Sequence, residues 1–260
     1  DNQSYIDAGG VIKSRNEVVA QSAILLGIHL AEPAIQLNAS AIVLGVYQPL
    51  FNTELVQSFQ SFNVTCFSMD MLPRTTRAQA MDVLSSQANI AGYKAVLTAA
   101  NSYGRYFPMF MTAAGSIAPA KVLILGAGVA GLQAIATAKR LGAVVEVFDT
   151  RPAVKEEVMS LGAKFIEVEG AADASKSGGY AVEQSEDFMQ RQKEKIAASI
   201  TKADIVITTA QIPRKKAPIL ITEEMIQAMR NGSVIIDLAS ATGGNTPVTK
   251  NNETVNYNGV

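Results

Sequence analysis

Short apolar runs alternate along the chain with helix-like stretches that carry polar residues on one side. Apolar runs of about four to eight residues separated by helical patterns are typical of parallel strands joined by crossover helices. The pattern therefore predicts an α/β fold with two lobes. The runs predicted as strands are 23–30, 41–47, 64–68, 122–125, 144–148, 164–169, 204–210 and 233–239.

The predicted helices fill the intervals between these runs. The longest covers about residues 77–106, has no internal proline and has the length to bridge two lobes. We therefore divide the chain into a first α/β domain at 1–83 and a dinucleotide-binding domain at 84–260 that begins with this helix. Segment 170–180 is rich in Gly, Ala and Ser and predicts a loop, and 240–260 predicts a loop and a tail. The other predicted helices are a short one that starts near residue 16, then 53–62, 152–161, 182–201 and 222–229.

Residues 121–149 carry the most specific motif of the chain. An apolar run leads into Gly126, Gly128 and Gly131, spaced as G-x-G-x-x-G, and Asp149 ends the next run 18 residues after Gly131. In a dinucleotide site, the first glycine permits a tight turn, the second admits the pyrophosphate and the third lets helix and strand pack closely. The free amides at the helix N-terminus attract phosphates. An acid at the position of Asp149 accepts hydrogen bonds from ribose hydroxyls and repels a 2′-phosphate, which favours NAD over NADP.

Composition narrows the class of protein further. The chain has 260 residues, 48% hydrophobic and 17% charged, with a formal net charge of −1, which gives no electrostatic case for nucleic acid or an anionic membrane. A single cysteine, Cys66, and a single histidine, His29, leave no internal disulfide and no cysteine or histidine metal cluster, as suits a reducing compartment. No apolar run has the length of a membrane span. The start at Asp1 and the end at Val260 indicate a piece of a longer protein.

Segment 72–93, LPRTTRAQAMDVLSSQANIAGY, together with the glycine motif, points to one family. It resembles the NAD(H)-binding component of the proton-translocating nicotinamide nucleotide transhydrogenases, and the likeness extends over roughly residues 68–245. The further matching pieces are MTAAG at 111–115, AGVAGLQAIATAKRLGA at 127–143, FDTRPAVKE at 148–156, GGYA at 178–181 and ITTA-IP around 207–213.

The resemblance implies two Rossmann-like parallel-sheet domains with a nucleotide cleft between them, the first of them truncated in this chain. It also implies that hydride passes from NADH to NADP⁺ held on a separate component, while a membrane component couples the transfer to proton movement. A homodimer is implied as well, at the cytoplasmic side and peripheral to a bacterial inner membrane. Transfer between two nicotinamides needs no proton abstraction, which agrees with an expected site that has no histidine, metal or nucleophile.

The same likeness places Arg74, Gln79, Asp82 and Ser85 around the nicotinamide and its ribose, with Gln79 reaching towards the NADP-bearing component. The last three are spaced by three residues, so we expect them on one side of a helix. Pro73 would fix the turn that presents Arg74. The alternative is a helix-capping salt bridge between Arg74 and Asp82.

Tyr180 matches the tyrosine of the family's mobile loop, which closes over bound nucleotide, and Gly179 would touch the nucleotide in the same closure. The alternative is a surface loop with an incidental tyrosine. Besides the three glycines and Asp149, the predicted cofactor-binding residues are Ala127, Val129 and Ala130 in the turn, Thr150 and Arg151 beside the adenosine ribose, and Gln192, Ala210 and Gln211 on later elements.

Three positions call for caution. An arginine such as Arg151, just after the ribose acid, can favour a 2′-phosphate, although Asp149 holds the discriminating position. Gln211 stands where the family usually has an apolar residue. Arg214 replaces the glycine of an I-P-G run, where a positive φ would suit glycine best.

Two other functions remain as alternatives. Alanine dehydrogenases share both domains but place a lysine and a histidine on two strands of the first domain, and those positions align with Gly27 and Val46 here. His29 lies two residues from Gly27 on the same strand face, so a shifted alignment would place it in the cleft. In an apolar run, however, we expect it to be a packed core group. The second alternative is a catalytically silent NAD-binding module.

Overall fold

The computed structural model describes residues 1–29, 37–73, 75–170, 185–212 and 215–260. They form two compact units, Asp1–Leu84 and Ser85–Val260. Each unit contains a parallel sheet with helices packed against it, so the predicted α/β class with parallel sheets is confirmed.

The first unit is built on a three-stranded parallel sheet whose spatial order follows the chain. Ser14 and Glu17 form a capping box at the start of the second helix, which satisfies two backbone amides of the helix end. The buried core of this unit is small and comprises Val19, Leu25, Val43, Tyr47 and Phe59. The elements are α1 (Asn2–Asp7), α2 (Arg15–Gln21), β1 (Ile24–Leu26), β2 (Ile42–Gly45), α3 (Thr53–Ser61), β3 (Thr65–Ser68) and the 3₁₀ turns Met69–Met71 and Thr76–Met81.

The second unit contains a five-stranded parallel sheet. If its strands are numbered along the chain, their spatial order is 3-2-1-4-5, the order of a doubly wound dinucleotide-binding sheet. Its strands are β6 (Lys121–Leu125), β7 (Val144–Phe148), β8 (Lys164–Phe165), β9 (Ile205–Thr208) and β10 (Val234–Asp237), and a separate hairpin is formed by β4 (Phe110–Thr112) and β5 (Gly115–Ile117). Its helices are α4 (Val83–Ser102), α5 (Val129–Arg140), α6 (Lys155–Ser160), α7 (Glu186–Ile200) and α8 (Glu223–Gln227), with 3₁₀ turns at Pro152–Val154 and Ser240–Thr242.

Helices cover both faces of the larger sheet. Along β6, Val122 and Ile124 belong to an apolar cluster that includes residues of α4 and α5. Leu123 and Leu125 belong to a second cluster that includes residues of α7 and α8. Burial on both faces explains why this strand has no polar alternation in its sequence. Among the helices that the structure describes, none combines the length and apolarity that a bilayer crossing demands.

The long predicted helix at 77–106 is wrong at both ends. A 3₁₀ turn occupies Thr76–Met81, Asp82 has a non-helical ψ of 83°, and α4 then runs only to Ser102. Aspartate favours the position just before a helix over the helix interior, because its carboxylate competes for nearby backbone amides. The break also separates Gln79 and Asp82 from Ser85, so the expectation that all three share one side of a single helix is wrong.

Tyr47 carries the one buried side-chain polar atom without a hydrogen-bond partner in the described part of the chain, its hydroxyl. The ring is 3% exposed and meets Phe59 edge-to-face, with centroids 5.3 Å apart. Burial raises the pKa of Tyr47 to about 12, so the hydroxyl is neutral at physiological pH.

We predict that Tyr47→Phe leaves the free energy of unfolding of the first unit unchanged or raises it by up to about 1 kcal/mol, because a buried hydroxyl without a partner is costly. Urea unfolding followed by circular dichroism measures this change. Tyr257→Phe is the control, because that hydroxyl donates to Glu223 over 2.9 Å and its removal should lower stability. A loss above about 1 kcal/mol for Tyr47→Phe would show that its hydroxyl is bonded.

Candidate functional site

The turn after β6 lies at the carboxyl edge of the larger sheet, where this fold binds ligands. Gly126 has φ +105°, a left-handed conformation that glycine adopts without strain, and its amide donates to the Phe148 carbonyl over 2.8 Å. A Cβ built on Gly131 would lie 1.9 Å from the Gly126 carbonyl oxygen. A Cβ on Gly128 would meet no atom within 4 Å. Packing within the protein therefore requires glycine at Gly131, whereas the space beside Gly128 is open.

The first turn of α5 presents its amides without a side-chain cap. Gly128 is the N-cap residue, and among the described residues no side chain accepts a capping hydrogen bond there, so the positive end of the helix can face an anion. Val129 and Ala130 form this first turn. Gly92 of α4 crosses it so closely that a Cβ on Gly92 would lie 2.0 Å from the Ala130 carbonyl oxygen. The sequence does not single out Gly92, because one glycine inside a helical pattern carries no distinctive spacing.

Asp149 follows β7 and binds the glycine turn directly. Its Oδ2 atom accepts from the Ala127 amide over 2.7 Å and from Arg151 Nη2 over 2.8 Å. Its Oδ1 atom accepts from the Arg151 amide over 2.8 Å and from Arg151 Nε over 2.9 Å. The Arg151 and Asp149 side chains are 18% and 6% exposed, respectively. The structure thus brings together three of the predicted residues, and Thr150 lies half-buried between two of them.

The sequence suggests that Arg151 can favour a 2′-phosphate, but in the structure its guanidinium is paired with Asp149. The hydrogen bonds to Asp149 raise the pKa of its guanidinium above the ordinary value, so this side chain stays a cation throughout the physiological pH range. Three of the donors to the Asp149 carboxylate are groups of Arg151, and the fourth is the Ala127 amide. A ribose hydroxyl would therefore compete with Arg151 for the acceptor positions of Asp149.

The segment after β9 lies beside the glycine turn. Thr209 donates through Oγ1 to the Gly126 carbonyl over 3.2 Å. The Ala210 amide donates to Asn245 Oδ1 over 3.2 Å, and Asn245 Nδ2 donates to the Ala210 carbonyl over 2.9 Å. Gln211 is exposed, and its Nε2 atom donates to the Leu238 carbonyl over 3.3 Å. Asn245 is not predicted from the sequence, because it lies in the segment predicted as loop and tail, yet it is fully buried.

The remaining predicted residues divide between the units. Gln79 is exposed and Asp82 half-buried in the first unit, while Ser85 is half-buried at the start of the second. Gln192 is half-buried on α7, one turn from the fully buried Ile196. The positions Arg74, Gly179, Tyr180 and Arg214 lie outside the described residues.

His29 is exposed, so the expectation of a packed core histidine is wrong. Its Nδ1 atom lies 2.9 Å from the Val46 carbonyl oxygen, just beyond the carboxyl end of β2. The described residues contain no group of three histidine, cysteine, aspartate or glutamate side chains placed to hold a metal ion.

Comparison with known proteins assigns the family. The profile of the alanine dehydrogenase/PNT C-terminal domain matches residues 95–260, and that of the N-terminal domain matches residues 1–91. The chain belongs to the alanine dehydrogenase/PNT family. Within this family the resemblance to transhydrogenases is confirmed, because relatives with well over 30% identity carry that name.

Two relatives from the alanine dehydrogenase/PNT family illustrate this. The first part of NAD(P) transhydrogenase subunit alpha of Rhodospirillum rubrum is 53% identical over 213 residues, which cover 81% of this chain and 56% of the relative. The protein of the same name from Rickettsia prowazekii is 44% identical, over all of this chain and 70% of the relative. The chain thus spans between about half and 70% of the length of these relatives.

Solved structures agree with this assignment. The transhydrogenase of Sinorhizobium meliloti matches with a TM-score of 0.85 and 42% identity, over 99% of this chain and 70% of that one. An L-alanine dehydrogenase matches with a TM-score of 0.75 but 22% identity, over 99% of this chain and 68% of that one, and so supports the fold alone.

We predict that Gly131→Ala lowers the free energy of unfolding of the second unit by about 1–3 kcal/mol, because the new methyl group overlaps the Gly126 carbonyl. Chemical unfolding of the variant and the wild type measures the difference. Gly128→Ala is the matched control and should stay within about 1 kcal/mol of the wild type, because its methyl group enters open space. Equal losses in the two variants would contradict the role of close packing at Gly131.

Proposed function

We propose that this chain binds NAD(H) and that hydride passes from the bound NADH to NADP⁺ held on a partner component. In this proposal the transfer is coupled to proton translocation across a membrane. The observation that carries the proposal is the glycine turn with its uncapped helix end, at the carboxyl edge of a parallel sheet. Nicotinamide nucleotide binding is already implied by the family, and the transhydrogenase names of its relatives support the finer assignment.

The residues present fit a dinucleotide. The space beside Gly128 allows close approach of a pyrophosphate, and the amides of Val129 and Ala130 lie at the positive end of α5. The carboxylate of Asp149 lies within hydrogen-bond reach of the same turn, at the position that contacts the adenosine ribose in this fold. A carboxylate there disfavours a 2′-phosphate, and the pairing of Arg151 with it leaves that arginine less available to one. We therefore propose NAD(H) as the ligand.

The role of the protein in the reaction is to bind, orient and exclude water. Bound NADH supplies the hydride, and the side chains act on its position. We propose that Arg74, Gln79, Asp82 and Ser85 contact the nicotinamide end and that Tyr180 and Gly179 close over the nucleotide. Gln192, Ala210 and Gln211 are proposed to line the later elements of the site.

The partners follow from the same proposal. The words "subunit alpha" in the names of the relatives indicate an enzyme with other components. We propose that this chain acts as a homodimer at the cytoplasmic face of a bacterial membrane, where it meets an NADP-binding component and a membrane component.

The test of the proposed reaction is reconstitution. Added to the purified NADP-binding component of the same enzyme, the chain should transfer hydride from NADH to thio-NADP⁺, as followed by absorbance of the reduced analogue. The control omits the NADP-binding component and should show no transfer. NADH formation from NAD⁺ and L-alanine would instead identify an amino-acid dehydrogenase. Nucleotide binding with neither reaction would identify a silent module.

A second prediction concerns nucleotide affinity. Gly128→Ala should weaken NADH binding roughly tenfold, because the added methyl group occupies the space that the pyrophosphate requires. Isothermal titration calorimetry measures the dissociation constant. The matched control is Gly104→Ala, between α4 and β4, where the backbone is likewise outside the left-handed region and an added Cβ meets no atom within 4 Å. Unchanged affinity in Gly128→Ala would remove the glycine turn from the site.

A further inference from the structure

Asp237, the half-buried last residue of β10, is the centre of a polar cluster that reaches into the segment after the strand. Its Oδ1 atom accepts from Thr208 Oγ1 and from the Ala239 amide, both over 2.9 Å. Its Oδ2 atom accepts from the Asn245 amide and from Thr249 Oγ1, both over 2.7 Å. One carboxylate thus ties the irregular segment 239–249 to the ends of β9 and β10.

The Asn245 side chain carries this connection to the loop after β9. Its Oδ1 atom accepts from the Ala210 amide over 3.2 Å, and its Nδ2 atom donates to the carbonyls of Ala210 over 2.9 Å and Pro218 over 2.8 Å. Strand pairing of β9 ends at Thr208, so Ala210 lies beyond the last ladder position. The Asn245 carboxamide bonds both the N–H and the C=O of Ala210, and so makes the two hydrogen bonds that a neighbouring strand would otherwise make.

The position of Ala210 gives this contact a functional consequence. The preceding residue, Thr209, donates to the carbonyl of Gly126 in the glycine turn, so the two loops meet at the point where strand order reverses. In a doubly wound sheet, the half with the glycine turn and the acid takes the adenosine part of a dinucleotide. The other half, to which β9 and β10 belong, takes the nicotinamide mononucleotide part.

The fully buried state of Asn245 argues for a specific task. A buried carboxamide costs stability unless its polar atoms are hydrogen-bonded, and here both of its polar atoms bond backbone groups of loops at the edge of the sheet. Both backbone polar groups of Ala210 are consequently occupied by the protein. Ala210 therefore contributes to a ligand site through the position of its backbone, and the two bonds to Asn245 fix that position.

We propose that Asn245 is a positioning residue that holds the Ala210 backbone in the conformation required by the nicotinamide half of the dinucleotide. The inference rests on the proposed NAD(H) site. Asn245 itself does not contact the nucleotide. Its loss should weaken binding of the nicotinamide half of the nucleotide and leave binding of the adenosine half unchanged.

The test compares NADH with ADP, which carries only the adenosine half and the pyrophosphate. In Asn245→Ala, calorimetry should show the dissociation constant of NADH raised about tenfold and that of ADP changed less than about twofold. Thr249→Val is the matched control, because it removes the hydrogen bonds of Thr249 Oγ1 with Asp237 and Thr246 but leaves the bonds between Asn245 and Ala210 in place. That control should lower the melting temperature and leave both dissociation constants within about twofold of the wild type.

The outcomes separate this inference from the proposed function. Equal weakening of NADH and ADP, or no weakening of either, in folded Asn245→Ala overturns the positioning role while leaving the NAD(H) site intact. A wild-type chain that binds neither ligand overturns both proposals.

If Asn245→Ala does not fold, hydrogen exchange of the wild type with each ligand tests the inference instead. Backbone amides over 209–212 should exchange more slowly with NADH than with ADP at saturating concentrations. Equal exchange with the two ligands overturns the inference.

Discussion

The close approach of Gly131 to the carbonyl of Gly126 sets the geometry on which the larger unit depends. Without a side chain at Gly131, α5 begins directly against the end of β6, and its N-terminus comes to the edge of the sheet. This contact aligns the helix dipole with the turn, so an anion at Gly128 would meet backbone amides rather than side chains. Gly92 extends the same constraint to α4, which packs against the first turn of α5 at equally short range.

Two carboxylates then hold the loops that leave the sheet. Asp149 after β7 and Asp237 at the end of β10 each accept hydrogen bonds from backbone amides, because strand pairing ends there and leaves amides in need of acceptors. Asp149 joins the glycine turn to the loop after β7. Asp237 joins β9 to the segment 239–249, and Asn245 extends that connection to Ala210. The loops of the candidate site are therefore held in place by side chains whose polar atoms bond backbone groups of the protein.

Local patterns in the sequence predict much of this architecture. Apolar runs locate the strands of the larger sheet, and the spacing of Gly126, Gly128 and Gly131 places the turn between strand and helix. The helix through 77–106 is where local reasoning fails, because Asp82 interrupts an otherwise helical pattern and only the observed backbone shows the break. The hairpin β4–β5 is not predicted, because its strands, FMT and GSI, form no continuous apolar run.

The sequence by itself determined the class of fold, the parallel strands and the turn suited to a dinucleotide, because those depend on periodicity and spacing within a few dozen residues. Only the tertiary structure decided which polar groups face one another. The bonds of Asn245 to Ala210 cross 35 residues, and the Asp149 carboxylate reaches Ala127 across 22. A hydrogen bond between distant segments leaves no periodic trace in either of them, since its geometry exists only once the strands have paired and the helices have packed.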